Sequence, residues 1–156
     1  MNPLPERPLS AITVAGIVYR DHQFLMVEEF IAGQSKLNQP AGHVEPGECL
    51  IDAVVREVRE ETRYRFYPEA LLGIYHSNPL EGHRILRVAI IGSVDAEPDP
   101  DPLDSGILAV HWLDNQTIET QRTALRSPFV TLCIQDYLRG QRFDLATLHS
   151  LTGAAR

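Results

Sequence analysis

The sequence predicts a single α+β domain in which a mixed β-sheet is packed between helices. Three observations lead there. The chain has 156 residues, 44% of them hydrophobic, which is the size and apolar content of one globular domain able to bury its own core. Short apolar runs bounded by turn residues recur along it, and two stretches carry helical spacing with helix-ending residues. These elements intermix without regular βαβ alternation, which argues against a doubly wound parallel sheet. No repeat or low-complexity stretch divides the chain, so residues 1–156 are expected to form one domain, with a flexible N-terminus to about residue 9.

Taken in order, Ala11 to Tyr19 and Phe24 to Phe30 are apolar, β-branched runs joined by Arg20-Asp21-His22-Gln23, which reads as a hairpin and its strand pair. A short strand is expected over Lys36 to Gln39. Pro40-Ala-Gly-His-Val-Glu-Pro-Gly-Glu48 carries turn residues and leads into a helix over Cys49 to Thr62. Leu71 to His76, Ile85 to Val94 and Ile107 to Leu113 read as further strands. Between the last two, Pro98-Asp-Pro-Asp-Pro-Leu-Asp104 forms an acidic loop expected to be exposed. Ser127 as N-cap, Pro128 at the first helical position and Gly140 past Arg139 bracket a second helix.

Composition narrows the function. A net charge of −7 gives no general attraction for nucleic-acid polymers, so an anionic ligand needs local help such as a divalent cation. Cys49 and Cys133 lack CxxC spacing, which makes zinc improbable and suits a reducing interior. With no apolar leader and no run near the roughly 18 residues of a membrane span, the expectation is a cytoplasmic protein that does not engage membranes. Oligomeric state leaves no mark on the sequence.

The first helix carries the chemistry. Leu50, Ala53, Val54, Glu57 and Glu61 follow at i+3 and i+4 spacing with Val58 beside them, so an apolar stripe ends in carboxylates. Asp52, Arg56, Arg59 and Arg63 form the opposite face. Glu60 falls three residues after Glu57, and like charges this close repel unless a cation neutralises them. A plain salt-bridged helix, with Arg56 paired to Glu60, is the alternative. The stripe position of Glu57 and Glu61, and the bare backbone of Gly42 and Gly47 ahead of them, favours a ligand site. Oxygen donors alone select a hard ion, Mg²⁺ or Mn²⁺.

From Gly42 to Tyr64 the segment GHVEPGECLIDAVVREVREETRY is a glycine, five residues, Glu48, seven residues, then Arg56-Glu57-Val58-Arg59-Glu60-Glu61. It resembles the signature box of the Nudix hydrolase family. The resemblance implies a mixed sheet between helices, Mg²⁺ or Mn²⁺ on the box carboxylates, and hydrolysis of a nucleoside diphosphate linked to another group. It carries metal-ligand roles onto Glu57, Glu60 and Glu61, with the Gly42 carbonyl as a further ligand and Glu48 as either an additional ligand or a support behind the ligands. Glu57 or Glu60 becomes the general base, and Arg56 fixes a carboxylate by a charge-assisted hydrogen bond. One position departs: Arg63 stands where the box has a second glycine, which would end the helix in the left-handed region.

Outside the box, Leu37-Asn-Gln-Pro-Ala-Gly-His43, Leu86-Arg87, Leu125-Arg-Ser-Pro128 and Tyr137-Leu-Arg-Gly-Gln-Arg-Phe143 are similar to a bacterial phosphatase-type subgroup. The likeness runs from about Ala11 to Leu148. It implies phosphate release from thiamine pyrophosphate, its hydroxymethylpyrimidine precursor and nucleoside di- and triphosphates. Arg87, a charge in an apolar strand row, either binds phosphate or pairs with a carboxylate, and Lys36 either contacts phosphate or is an exposed edge lysine. His43 and His76 read as structural or solvated, Asp99, Asp101 and Asp104 as a solvated loop, and Cys49 and Cys133 as packing within helices. Rival readings are a nucleotide-pool or ADP-ribose pyrophosphatase, a silent phosphate-ligand binding module, and, least supported, an RNA-binding adaptor.

Overall fold

The computed structural model describes residues 9–152, so the flexible segment expected to about residue 9 lies, apart from Leu9, outside the described residues. In chain order the elements are β1 (Ser10–Ile17), β2 (Tyr19–Arg20), β3 (Gln23–Ile31), β4 (Gln34–Asn38), β5 (Ala41–His43) and α1 (Leu50–Thr62). They continue with β6 (Phe66–Ser77), β7 (Arg84–Val94), β8 (Ile107–Leu113), α2 (Asn115–Thr120) and α3 (Pro128–Leu138). The α+β class holds, and helices cover both faces of a mixed sheet. That sheet runs β5-β1-β7-β6, with β1 parallel to β7 and the outer pairs antiparallel.

Residue parity separates two cores across this sheet. Val14, Val88 and Ile90 pack with Ala53, Val54 and Val58 of α1. Ile17, Ala89 and Ile91 pack on the other face with Phe129, Val130, Cys133 and Ile134 of α3. Each Val, Ile or Phe among them contributes about 1.5–3 kcal/mol by burial. Gly16 sets how closely α1 approaches, since a Cβ there would lie 2.5 Å from a Val58 methyl.

The strands are divided between two sheets instead of being held in one. Sheet order β2-β3-β4 with β8 on β3 forms a second, antiparallel layer. The expected pairing of Ala11–Tyr19 with Phe24–Phe30 is correspondingly corrected. The chain changes sheets at Val18, and only Tyr19 and Arg20 pair with Phe24 and Gln23 as strand. The turn itself is a two-residue hairpin with both central residues left-handed, Asp21 at φ 51° and His22 at φ 63°. Register over the whole first run is set by β7 and β5, long-range partners that local pattern does not reveal. β6 begins at Phe66, five residues ahead of the expected Leu71, and α2 is an unexpected short helix capped by Asp114.

Candidate active site

The glycine loop is partly strand. β5 lies on the edge of the mixed sheet with Gly42 opposite Val14, and this brings its backbone against α1. A Cβ on Gly42 would lie 2.2 Å from the Glu57 carboxyl, so a bare backbone is required for that approach. The turn that follows places Gly47 at φ 80°, and the Glu45 N–H donates to Glu48 Oε2 at 3.0 Å. Cys49 then caps the helix, its Sγ accepting from the Asp52 N–H at 3.4 Å. It is a half-exposed cap, not a residue within the helix, whereas Cys133 is fully buried in α3 and burial pushes its thiol up to about 11.

Arg56 gathers the carboxylates. Its Nε and Nη2 donate to the two oxygens of Glu48 at 2.7 and 3.0 Å, and Nη2 also reaches the His43 carbonyl at 3.0 Å. Its Nη1 donates to Glu57 Oε1 at 2.8 Å and Glu60 Oε2 at 3.1 Å. Arg56 therefore does not belong to the solvated helix face where periodicity put it. The i+4 pair with Glu60 exists, but as one arm of a hub. Hydrogen bonding to Arg56 holds Glu48 below its ordinary range and raises Arg56 itself.

Burial acts in the opposite direction on the inner pair. Desolvation raises Glu57 despite Arg56, with Glu60 and Glu48 adding repulsion. Glu61 is 9% exposed, accepts the Ala41 N–H at 3.0 Å, and is pushed up to about 9 by burial and by the charges of Glu29, Glu57 and Asp104. This oxygen-only, under-compensated donor set has the chemistry of a Mg²⁺ or Mn²⁺ site. Among the described residues no three acidic, His or Cys side chains already surround a shared point, because Glu48, Glu57 and Glu60 converge on Arg56.

Arg63 ends α1 at φ 62°, the left-handed position expected of the missing glycine, and its N–H donates to the Arg59 carbonyl. Its guanidinium does not extend into solvent. It folds onto the acidic loop, with Nη2 3.4 Å from Asp104 Oδ1. That loop is exposed as expected yet tethered to the helix end. Asp99 N–H donates to the Arg63 carbonyl at 3.0 Å, Asp104 N–H lies 3.3 Å from the Glu60 carbonyl, and Arg59 pairs with Asp99.

The two basic candidates separate. Arg87 is 6% exposed, donates to Gln39 Oε1 at 3.2 Å and lies over the Phe129 ring at 5.2 Å. It lines a cavity of about 250 Å³ that also includes Gly42. Lys36 is not brought there, since its Nζ donates to the Thr123 carbonyl at 3.1 Å. The His43 and His76 side chains are exposed. Sequence reasoning missed Glu29, Asn38 and Arg126 on the cavity wall. Glu29 is buried on the face of β3 that Leu25 and Val27 share, while its neighbour Phe30 on the other face is 56% exposed. Ser127 has the extended backbone of an N-cap but makes no capping bond.

Comparison with known proteins agrees with this geometry. The NUDIX domain model matches residues 9–133. Phosphatase NudJ of Escherichia coli strain K12 is 35% identical over 134 residues, covering 86% of this chain and 87% of the relative. The solved NUDIX hydrolase from Nitrosomonas europaea superposes with a TM-score of 0.88 at 42% identity, covering 94% of this chain and 100% of that one. The MutT protein from Methanosarcina mazei Go1 shares the fold at a TM-score of 0.70 and 22% identity, over 87% of this chain and 98% of its own. The fold and its glutamate-rich helix thus define a hydrolase of acid anhydrides. The chain belongs to the NUDIX family.

Proposed function

We propose that this hydrolase uses Mg²⁺ or Mn²⁺ to release phosphate from small-molecule pyrophosphates or nucleotides, by attack of water at phosphorus. One observation carries the reading: part-buried Glu57 and buried Glu61 lie beside Glu60, and among the described residues Arg56 is the one cation paired with Glu57, so negative charge exceeds positive in the cluster. Glu57, Glu60 and Glu61, with Glu48 and the Gly42 carbonyl, would hold the ion. When bound, such a cation supplies stabilisation for charge developing on the phosphate oxygens.

The chain's own residues do the rest. Arg56 orients Glu48, Glu57 and Glu60, and either Glu57 or Glu60 accepts the proton of the attacking water. The bare Gly42 backbone leaves room for the Glu57 carboxyl against β5. Arg87, which lines the adjoining cavity together with Arg126, would bind the substrate. The likeness to Phosphatase NudJ supports phosphate release as the outcome. Two free cysteines support a cytoplasmic setting, and among the described residues no helix is long and apolar enough to cross a membrane.

A substrate panel tests the reading. Thiamine pyrophosphate, its pyrimidine precursor and nucleoside diphosphates are incubated with Mg²⁺, orthophosphate is measured by colorimetry, and the organic product is identified by mass. Release from more than one compound is expected. Cleavage of ADP-ribose alone would keep the family and overturn the phosphatase assignment. Tight binding without turnover of any compound would replace both with a binding module.

A further inference from the structure

The buried polar atoms without partners are not scattered. Of the seven among the described residues, five belong to residues that line the cavity beside Gly42: Thr13 Oγ1, Glu29 Oε2, Asn38 Oδ1, Arg87 Nε and Ser127 Oγ. Thr13, Glu29, Asn38 and Arg87 are each more than nine-tenths buried. Folded proteins leave few such atoms, and their concentration around one space marks a ligand position.

The chemistry of the wall restricts the ligand. Asn38 Nδ2 points to Glu29 Oε1 at 3.4 Å, which leaves Glu29 Oε2 and Asn38 Oδ1 as two acceptors on adjoining strands. Glu29 Oε2 has Arg126 Nε 3.6 Å away, an ion pair without a hydrogen bond. Phe129 supplies an apolar surface. A pocket for phosphate alone would not place a buried carboxylate in its wall, and a pocket for a bare hydrocarbon ring would leave both acceptors unpaired. Gly42 belongs both to this wall and to the contact with Glu57, so a ligand with its phosphates at the carboxylate cluster has its other end here.

We propose that this cavity reads the substrate's ring, with Glu29 as the specificity determinant: Glu29 Oε2 and Asn38 Oδ1 select a nitrogen heterocycle bearing an exocyclic amino group over the same ring bearing a carbonyl. The inference rests on the hydrolase reading of the neighbouring cluster. It also makes a directional claim about substitution. In Glu29→Gln the amide oxygen keeps the bond from Asn38 Nδ2, so the amide NH₂ takes the place of Oε2 and an acceptor becomes a donor.

The test uses CDP and UDP, which share phosphates and ribose and differ at the amino or carbonyl position of the pyrimidine. The readout is the CDP-to-UDP ratio, both of kcat/KM for phosphate release with Mg²⁺ and of equilibrium binding with Ca²⁺ in its place. Glu29→Gln alters the charge around Glu57 and Glu61, so absolute rates change for both compounds while the ratio isolates ring reading. The wild type is expected to prefer CDP by about tenfold or more, and Glu29→Gln to bring the ratio to parity or reverse it. A wild-type ratio near one, equal effects of the substitution on both compounds, or no binding of either overturns the inference, and turnover of both in that case leaves the hydrolase reading standing. Preferential CDP binding without turnover supports the cavity's role and counts against phosphate release from these compounds.

Discussion

At Glu60 charge can be removed with little loss of packing. The side chain is 38% exposed and touches Arg56, so Glu60→Gln should leave folding stability nearly unchanged while phosphate release falls by about 10² or more. Near-normal turnover in the folded variant would remove Glu60 from the site. Glu61 makes the complementary case. Its folded-state value near 9 lies above its ordinary 4.5, so the folded protein holds this proton more tightly than the unfolded chain. In chelator, stability is then full below about pH 4.5 and declines as pH rises toward 9, with Glu57 acting in the same direction. Thermal melts at stepped pH should show that decline, and Glu61→Gln should flatten it. An unchanged slope would mean that Glu61 is solvated.

Between elements, close backbone approach sets the geometry. Gly42→Ala should fold, since the atoms met by the new Cβ are the flexible end of Glu57, but it should displace that carboxyl and cost about 10² in activity. Gly16→Ala meets a Val58 methyl inside a packed core and should instead cost about 1–3 kcal/mol of stability by denaturant unfolding. Arg63→Gly relieves a left-handed non-glycine residue, worth about 1 kcal/mol, and loses one part-exposed pairing to Asp104. It should stabilise slightly with activity unchanged, and a large activity change would show that the tether to the acidic loop positions Glu60.

These elements also show what a sequence can and cannot disclose. The span of α1 and its carboxylate stripe were legible because each follows from local spacing, and the left-handed position at Arg63 because the box it resembles has a glycine there. The division into two sheets was not, because Val18 is one residue within a continuous apolar run and the partners of Ser10–Ile17, in β5 and β7, lie far away in sequence. Periodicity alone misplaced Arg56, because it assigns a face and not the reach of a long side chain that bends back to Glu48, whereas the family resemblance pointed to its bond with a carboxylate. Glu29 left no signal, since a lone carboxylate in phase with Leu25 and Val27 but flanked by Glu28 and Phe30 reads from the sequence as the polar end of a strand.

Across the whole molecule, a net charge of −7 opposes an anionic substrate, and the carboxylate helix concentrates that opposition where phosphate must bind. The account resolves the conflict through a divalent cation held by Glu57, Glu60 and Glu61. Equilibrium binding of Mn²⁺ to the wild type and to Glu57→Gln, with folding verified for both, tests this most directly. The account predicts that the wild type binds Mn²⁺ and that the substitution weakens binding by at least about tenfold, whereas equal affinity in the two proteins would contradict it.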